Sequence, residues 1–227
     1  MTSPDPSTRG LSTRGLRHRG SRVSGLAALC GGLALLALAV PLAAAELARL
    51  PGASALRALQ NGEAVGEDRL HRWLTVEGVA LAWRPDAPGH FRRALAQMAL
   101  AETAPAWAVA GHLWTAEDAL LRGLRMAPGS ALGWSRLAVV RYRLGAEPES
   151  VAAALERAVR LAPEERQLAP VRAELALRLW PEARAAIGEP LLNRQLRLAW
   201  DEAPQAIQAA AEESDRLSVL DAAFKAR

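Results

Sequence analysis

The sequence predicts an all-α protein: an amino-terminal transmembrane helix followed by a solenoid of helical hairpins. Three observations carry this. The apolar half of the 227 residues is mostly Ala, Leu and Val, with isoleucine only at 187 and 207 and tyrosine only at 142, a composition that favours helices over sheets. Residues 23–45 contain no charged side chain. Two ten-residue segments, ALLRGLRMAP from Ala119 to Pro128 and ALERAVRLAP from Ala154 to Pro163, align without gaps, their prolines 35 residues apart. A repeat of that period points to stacked helical hairpins, because one hairpin cannot cover its own apolar face.

Taken in order, residues 1–22 are rich in Ser, Thr, Pro, Gly and Arg, and the reading is a disordered basic tail. The run VSGLAALCGGLALLALAVPLAAA over 23–45 is long enough as a helix to cross a hydrocarbon core of about 30 Å. Five arginines lie before it, at 9, 14, 17, 19 and 22, so the positive-inside bias puts the tail in the cytoplasm and the remainder outside. The competing reading is a cleavable signal peptide, since Leu42-Ala43-Ala44-Ala45 offers small residues at both cleavage positions before Glu46. Both readings export residues 46–227. Cys30 lies too early in the run, behind bulky Leu29, to take a lipid at a lipoprotein site, and it reads as a small hydrophobe of the membrane helix.

Residues 46–87 carry two helical stretches, Glu46–Leu59 and Glu67–Trp83, expected as a stalk or as a segment packing onto the first repeat. Residues 88–227 form the repeat domain with carboxy-terminal capping helices. Gly89–Ala101 reads as an amphipathic helix. Thr115-Ala-Glu-Asp118 resembles a capping box that opens the helix ending at Ala127, which leaves an irregular loop from Thr103 to Trp114. Trp134, Leu137, Ala138, Arg141 and Leu144 recur at helical spacing; Gly145 ends that helix and Pro148 opens the next. Pro170, Pro181, Pro190 and Pro204 punctuate a run of short helices, two of them closed by Trp180 and Trp200.

Residues 115–163 resemble a tetratricopeptide repeat: Trp134, Leu137, Ala138, Tyr142, Gly145, Ala158 and Pro163 stand at or within one residue of that family's pattern positions. One extra residue lies around Ala146–Ser150, and no second unit conforms over its full length. The pair Arg178-Leu-Trp180 and Arg197-Leu-Ala-Trp200 is similar to a feature of tetratricopeptide-like proteins that accompany bacterial envelope polysaccharide machinery. The resemblance implies protein partners and a groove onto which Ser135, Val139, Tyr142 and Arg143 turn, Arg143 to pair with a carboxylate and Tyr142 to stack.

Chemistry is sparse. The four histidines are scattered without a metal-ligand spacing, and the chain has no GxSxG, Walker or GxGxxG motif, so no catalytic residue, metal or cofactor is expected. The carboxylate pairs Glu164/Glu165, Asp201/Glu202 and Glu212/Glu213 flank Pro or Ser at helix ends, where the helix dipole accounts for them. From Glu46 on, 23 basic residues balance 23 acidic ones, which is no nucleic-acid footprint. The seven tryptophans read as large rings filling an Ala-rich core. The expectation is a non-catalytic scaffold or assembly factor in a bacterial inner membrane, single-pass, its domain periplasmic. The alternatives are a cleaved periplasmic adaptor, or a small-molecule or glycan binder or an enzyme completed by a partner. The repeats also offer a surface for self-association.

Overall fold

A computed structural model describes residues 18–61 and 63–225, so Arg9, Arg14 and Arg17 of the basic tail lie outside the described residues. The chain divides into two compact units, Met1–Ala44 and Ala45–Arg227. Among the described residues there are twelve α-helices and no strand.

In the first unit, helix α1 (His18–Arg49) carries the apolar run. Its stretch Leu29–Leu47 is long and apolar enough to cross a membrane, and a signal sequence would pass the same test. Leu29, Leu33, Leu35, Leu36, Val40 and Leu42 are all exposed, the arrangement expected of a helix whose whole circumference meets apolar surroundings. The described part of the helix includes His18–Arg22 of the segment read as a tail, since once an apolar run nucleates a helix each added residue costs little.

The second unit holds the last turn of α1, a 3-10 turn at Leu50–Gly52, and α2 (Ala53–Gln60), α3 (Glu67–Trp83), α4 (Ala87–Thr103), α5 (Ala106–Met126), α6 (Ala131–Arg143), α7 (Pro148–Leu161), α8 (Ala169–Arg178), α9 (Trp180–Ile187), α10 (Glu189–Glu202), α11 (Pro204–Glu213) and α12 (Leu217–Lys225). Helices α4 with α5 and α6 with α7 form antiparallel hairpins; α8 packs on α10 and α9 on α7. A small cluster under Trp73 and Leu70 joins α2 and α3 to Ala96 and Leu100 of α4. The main core runs through α4–α10 around Leu113, Leu120, Leu137, Leu155 and Leu192. A second core gathers Leu196, Ile207, Ala211 and Leu220 from α10, α11 and α12. Helix α8 serves both, giving Leu175 and Ala176 to the first and Ala169, Ala173 and Leu177 to the second.

Local chemistry explains the helix ends. Ser130 caps α6, its hydroxyl accepting from Gly133 N–H at 3.1 Å. Gly145 takes φ +69, Ala146 N–H reaches Arg141 O and Gly145 N–H reaches Tyr142 O, a Schellman pair that stops α6 where a side chain would be strained. Proline occupies N1 or N2 of α7, α8, α9, α10 and α11, positions whose N–H would lack a helical partner anyway.

The structure corrects three expectations. The reading of Thr115–Asp118 as a helix start fails, because α5 is continuous from Ala106 and Thr115 lies in mid-helix, its hydroxyl donating back to Gly111 O at 2.8 Å. Trp180 opens α9 and does not close α8. Of the tryptophans only Trp73 is buried, while Trp83, Trp107 and Trp114 are exposed. Alanine and leucine fill most of the core, at close approach between helices. Glycine adds to this closeness: a Cβ on Gly123 would come 2.5 Å from Phe91 Cε1, and one on Gly133 2.9 Å from the same atom. Gly123→Val is expected to cost about 1–3 kcal/mol through overpacking, with Phe91→Ala recovering part of the loss in a double-mutant cycle read by chemical unfolding.

Candidate functional site

The residues predicted for a groove fall on α6 in four different settings. Ser135 is 3% exposed, lying beneath Arg172 of α8: its hydroxyl donates to Ala131 O at 2.9 Å and accepts from Arg172 Nε at 3.0 Å. Val139 packs against the main core. Tyr142 is exposed. Arg143 pairs with Glu102 of α4. On the neighbouring α8, Arg178 pairs with Glu174 and with Glu213 of α11. Burial opposes the charge of Arg178, but these carboxylates, with Tyr142 adding to them, hold its pKa above the ordinary guanidinium value. Arginine-carboxylate pairs thus tie α6 to α4 and α8 to α11, leaving Tyr142 the most accessible of the four predicted residues.

Arg172 is, with Glu77, one of the two most deeply buried charged side chains among the described residues. It is 1% exposed, its Nη1 donates to Ala162 O at 2.8 Å, and among the described residues its Nη2 has no partner. Burial lowers its pKa to about 10 despite the pull of Glu165. Gln195 of α10 is equally buried and donates to Pro163 O at 2.6 Å, so two polar side chains clasp the turn after α7. Both donate to backbone carbonyls of the α7–α8 connection.

A second polar cluster fixes the start of the unit. Glu77 of α3, 1% exposed, accepts from Arg92 Nε and Nη2 at 3.1 and 3.0 Å and from Arg49 Nε at 3.3 Å. Arg49 also forks onto Asp86 at 3.0 and 3.1 Å, and Asp86 caps α4 through Gly89 N–H at 2.7 Å. Burial opposes the charge of Arg49, yet Asp86 and Glu77 outweigh it and its pKa is raised. This cluster has the hallmarks of a structural clamp: each carboxylate is engaged by arginine.

The surface feature that sequence reasoning missed is a groove of about 520 Å³ between α7 and α9. Its floor is Ala152, Ala153, Ala185, Ala186 and Pro181, and its rim is Glu149, Glu156 and Glu182. Among the described residues only Glu156 of this rim meets an arginine, Arg160 at 2.8 Å one turn on. The alanines let a partner backbone come close, and the rim presents negative charge. The only signal in the sequence was the adjacency of small residues with glutamate on two helices whose pairing is not local. A second opening, about 560 Å³ along α10, is lined by Glu164, Arg194, Arg197 and Asp201 and is closer to neutral. His90, on α4, has its pKa lowered by burial and by Arg122 and Arg93, and so stands neutral at pH 7. Among the described residues no group of three metal-ligating side chains occurs.

No family model matches the chain, and no curated protein matches it. A solved structure does: a thermophilic TPR protein of Thermus thermophilus, 22% identical, aligned over 88% of this chain and 95% of that one with a TM-score of 0.50. With the antiparallel hairpins α4–α5 and α6–α7 and the Gly145 and Pro148 punctuation between α6 and α7, this likeness establishes a tetratricopeptide-like helical fold.

Proposed function

We propose that the protein is a non-catalytic interaction scaffold of a bacterial envelope, held at the inner membrane by the Leu29–Leu47 helix with its helical domain on the periplasmic side. The α7/α9 groove carries this reading: an alanine floor bounded by Glu149, Glu156 and Glu182 suits a helical or extended partner segment that presents small apolar residues between arginines or lysines. Exposed rim charges set association rate and selectivity, while close packing on the floor sets the dissociation rate. A membrane anchor would add to this by holding the groove at high effective concentration near a membrane complex. The surface of α6 around Val139, Tyr142 and Arg143 is a second contact area in this proposal, and polysaccharide assembly or export is the process it would accompany.

The test places a photo-crosslinking amino acid at Ala153 or Ala185 in the full chain and irradiates native membranes. The expected adduct maps to a partner segment bearing basic residues, and Glu149→Lys with Glu182→Lys reduces its yield by about tenfold, the size of about 1.4 kcal/mol. Adducts that persist unchanged in the charge-reversed chain, or that form only with lipid or glycan, would overturn the groove assignment. Sequencing the amino terminus of the same material decides between anchor and signal peptide: a chain starting at Glu46 removes the anchor.

A further inference from the structure

The last turn of α1, Ala45–Arg49, belongs to the second compact unit, and the apolar stretch Leu29–Leu47 ends inside it. Its register against α3 fixes a direction. A Cβ on Gly52 would come 2.4 Å from Trp73 Cδ1, Arg49 Nε lies 3.3 Å from Glu77, and Arg49 Nη2 lies 3.0 Å from Asp86, just beyond the end of α3. Each step back along the chain toward Leu47 is therefore a step toward the carboxy-terminal end of α3. At 1.5 Å per residue, Trp83 stands about 9 Å past Glu77, while Leu47 stands only about 3 Å before Arg49. The turn from α3 to α4 thus comes level with the end of the apolar stretch.

The side chains of that turn are unsuited to water. Trp83 is 53% exposed and Val79, one turn earlier, 48%, with Arg84 and Pro85 exposed beside them. The same edge of the domain continues in the turn from α5 to α6, because Phe91, in the second turn of α4, lies against Gly123 near the end of α5 and Gly133 near the start of α6. There Met126 is 51% exposed, and Arg125 and Leu132 are exposed with it. Arg122 has Asp118 as a partner, whereas Arg84 and Arg125 meet no carboxylate among the described residues. The two acids at the junction with α1, Glu46 and Asp86, are both engaged by Arg49.

Exposed indole beside a guanidinium without a carboxylate is a combination suited to a membrane-water boundary, where the ring takes the edge of the acyl layer and arginine takes phosphate. We infer that the α3–α4 and α5–α6 turns dock on the phospholipid headgroups of the leaflet from which α1 emerges, with Trp83, Met126 and Leu132 at the acyl boundary and Arg84 and Arg125 on phosphates. The chain itself selects lipid over a protein partner. The bonds from Arg49 to Glu77 and Asp86 keep this edge at the end of the apolar stretch, where a headgroup layer about 5–8 Å thick begins. This rests on the anchored reading of α1. It also sets the attitude of the domain, with the α4–α5 turn at Ala104-Pro105, about 25 Å along α4, pointing away from the bilayer.

The test uses the full chain with Cys30→Ser in nanodiscs of phosphatidylcholine containing phosphatidylglycerol, with no other envelope protein present. Pro85→Cys, Gly129→Cys or Ala106→Cys carries a nitrobenzoxadiazole dye, and a lipid with a nitroxide headgroup is the quencher. A side chain at position 129 meets nothing within 4 Å, so that label leaves the fold intact. Dye at 85 and at 129 should be quenched several-fold more strongly than dye at 106. Arg84→Glu with Arg125→Glu should cut the excess by about fivefold or more, since each charge beside an anionic surface is worth about that factor; the cut should shrink in discs without phosphatidylglycerol, with helical circular dichroism unchanged throughout. In a chain that retains α1, quenching at 85 and 129 no stronger than at 106 overturns the inference. So does quenching that falls at 85 and 129 when the proteins of native membranes are added, which would give the edge to a protein. A native chain that begins at Glu46 overturns the anchored reading instead, a result the amino terminus gives independently of the dye. None of these readouts depends on the α7/α9 groove.

Discussion

Glu77→Gln is expected to lower the unfolding free energy by about 3–5 kcal/mol. The carboxylate is almost wholly shielded from water and sits between two guanidinium groups, Arg92 and Arg49, themselves only partly exposed. Removing its charge leaves two cations facing each other at the junction of α1, α3 and α4, with Asp86, which already caps α4, and the exposed Glu46 as the remaining acids. The penalty arises from what is left behind, not from the intrinsic worth of the ion pair. Replacing all three of Glu77, Arg49 and Arg92 with apolar side chains of similar length should therefore recover much of the loss, leaving Asp86 free to cap. Urea unfolding of the full chain in detergent, followed by tryptophan fluorescence, measures both. A loss below about 1 kcal/mol for Glu77→Gln would show that water reaches the cluster and screens it.

Arg172 provides the converse case. Arg172→Ala should cost about 3–5 kcal/mol, since it opens a cavity between α6, α7 and α8 and strips the donor from Ala162 O. Arg172→Met should cost less, about 1–2 kcal/mol, since it also takes the donor from Ala162 O but opens no large cavity. Methionine fills the path of the arginine stem, Ser135 keeps its bond to Ala131 O, and both a desolvated cation and an Nη2 without a partner disappear. The contrast with Glu77 lies in the company each keeps: Arg172 has no carboxylate within ion-pairing distance among the described residues, so its removal orphans no charge. If the methionine variant unfolds as readily as the alanine one in the same urea titration, the guanidinium is holding the α7–α8 turn and its volume is secondary.

What the sequence reveals follows from how far each interaction reaches along the chain. The ends of α6 and α7 are written in Ser130, Gly145 and Pro148, residues whose backbone preferences act within one turn, and the prolines of α8–α11 mark helix starts for the same reason. The amino-terminal half of α5 stays hidden, because exposed Trp107 and Trp114 stand among the inward-facing Val109 and Leu113 and blur the one-sided apolar pattern that signals a helix. Ser135 sits on the face of α6 that the tetratricopeptide resemblance assigns to a groove, yet a side chain 37 positions away covers it. The Glu77 clamp joins residues 28 and 15 positions apart, and the α7/α9 groove depends on α9 skipping past α8 to reach α7. No local rule gives such pairings. The tryptophans mislead for a related reason: their size suggests core, but alanine and glycine bring these helices too close together to admit many rings.

Helix α8 belongs to two cores at once, and this sets where cooperativity can break. Because Leu175 and Ala176 face one cluster while Ala169, Ala173 and Leu177 face the other, the carboxy-terminal helices cannot detach as an independent unit: opening α11 and α12 strips one side of α8 while the other side remains folded. The border between subglobal unfolding units therefore runs lengthwise through a single helix and not through a loop. Slow amide exchange in α8 would report the sum of both clusters, and a perturbation at either end of the domain has a common element through which to be felt at the other.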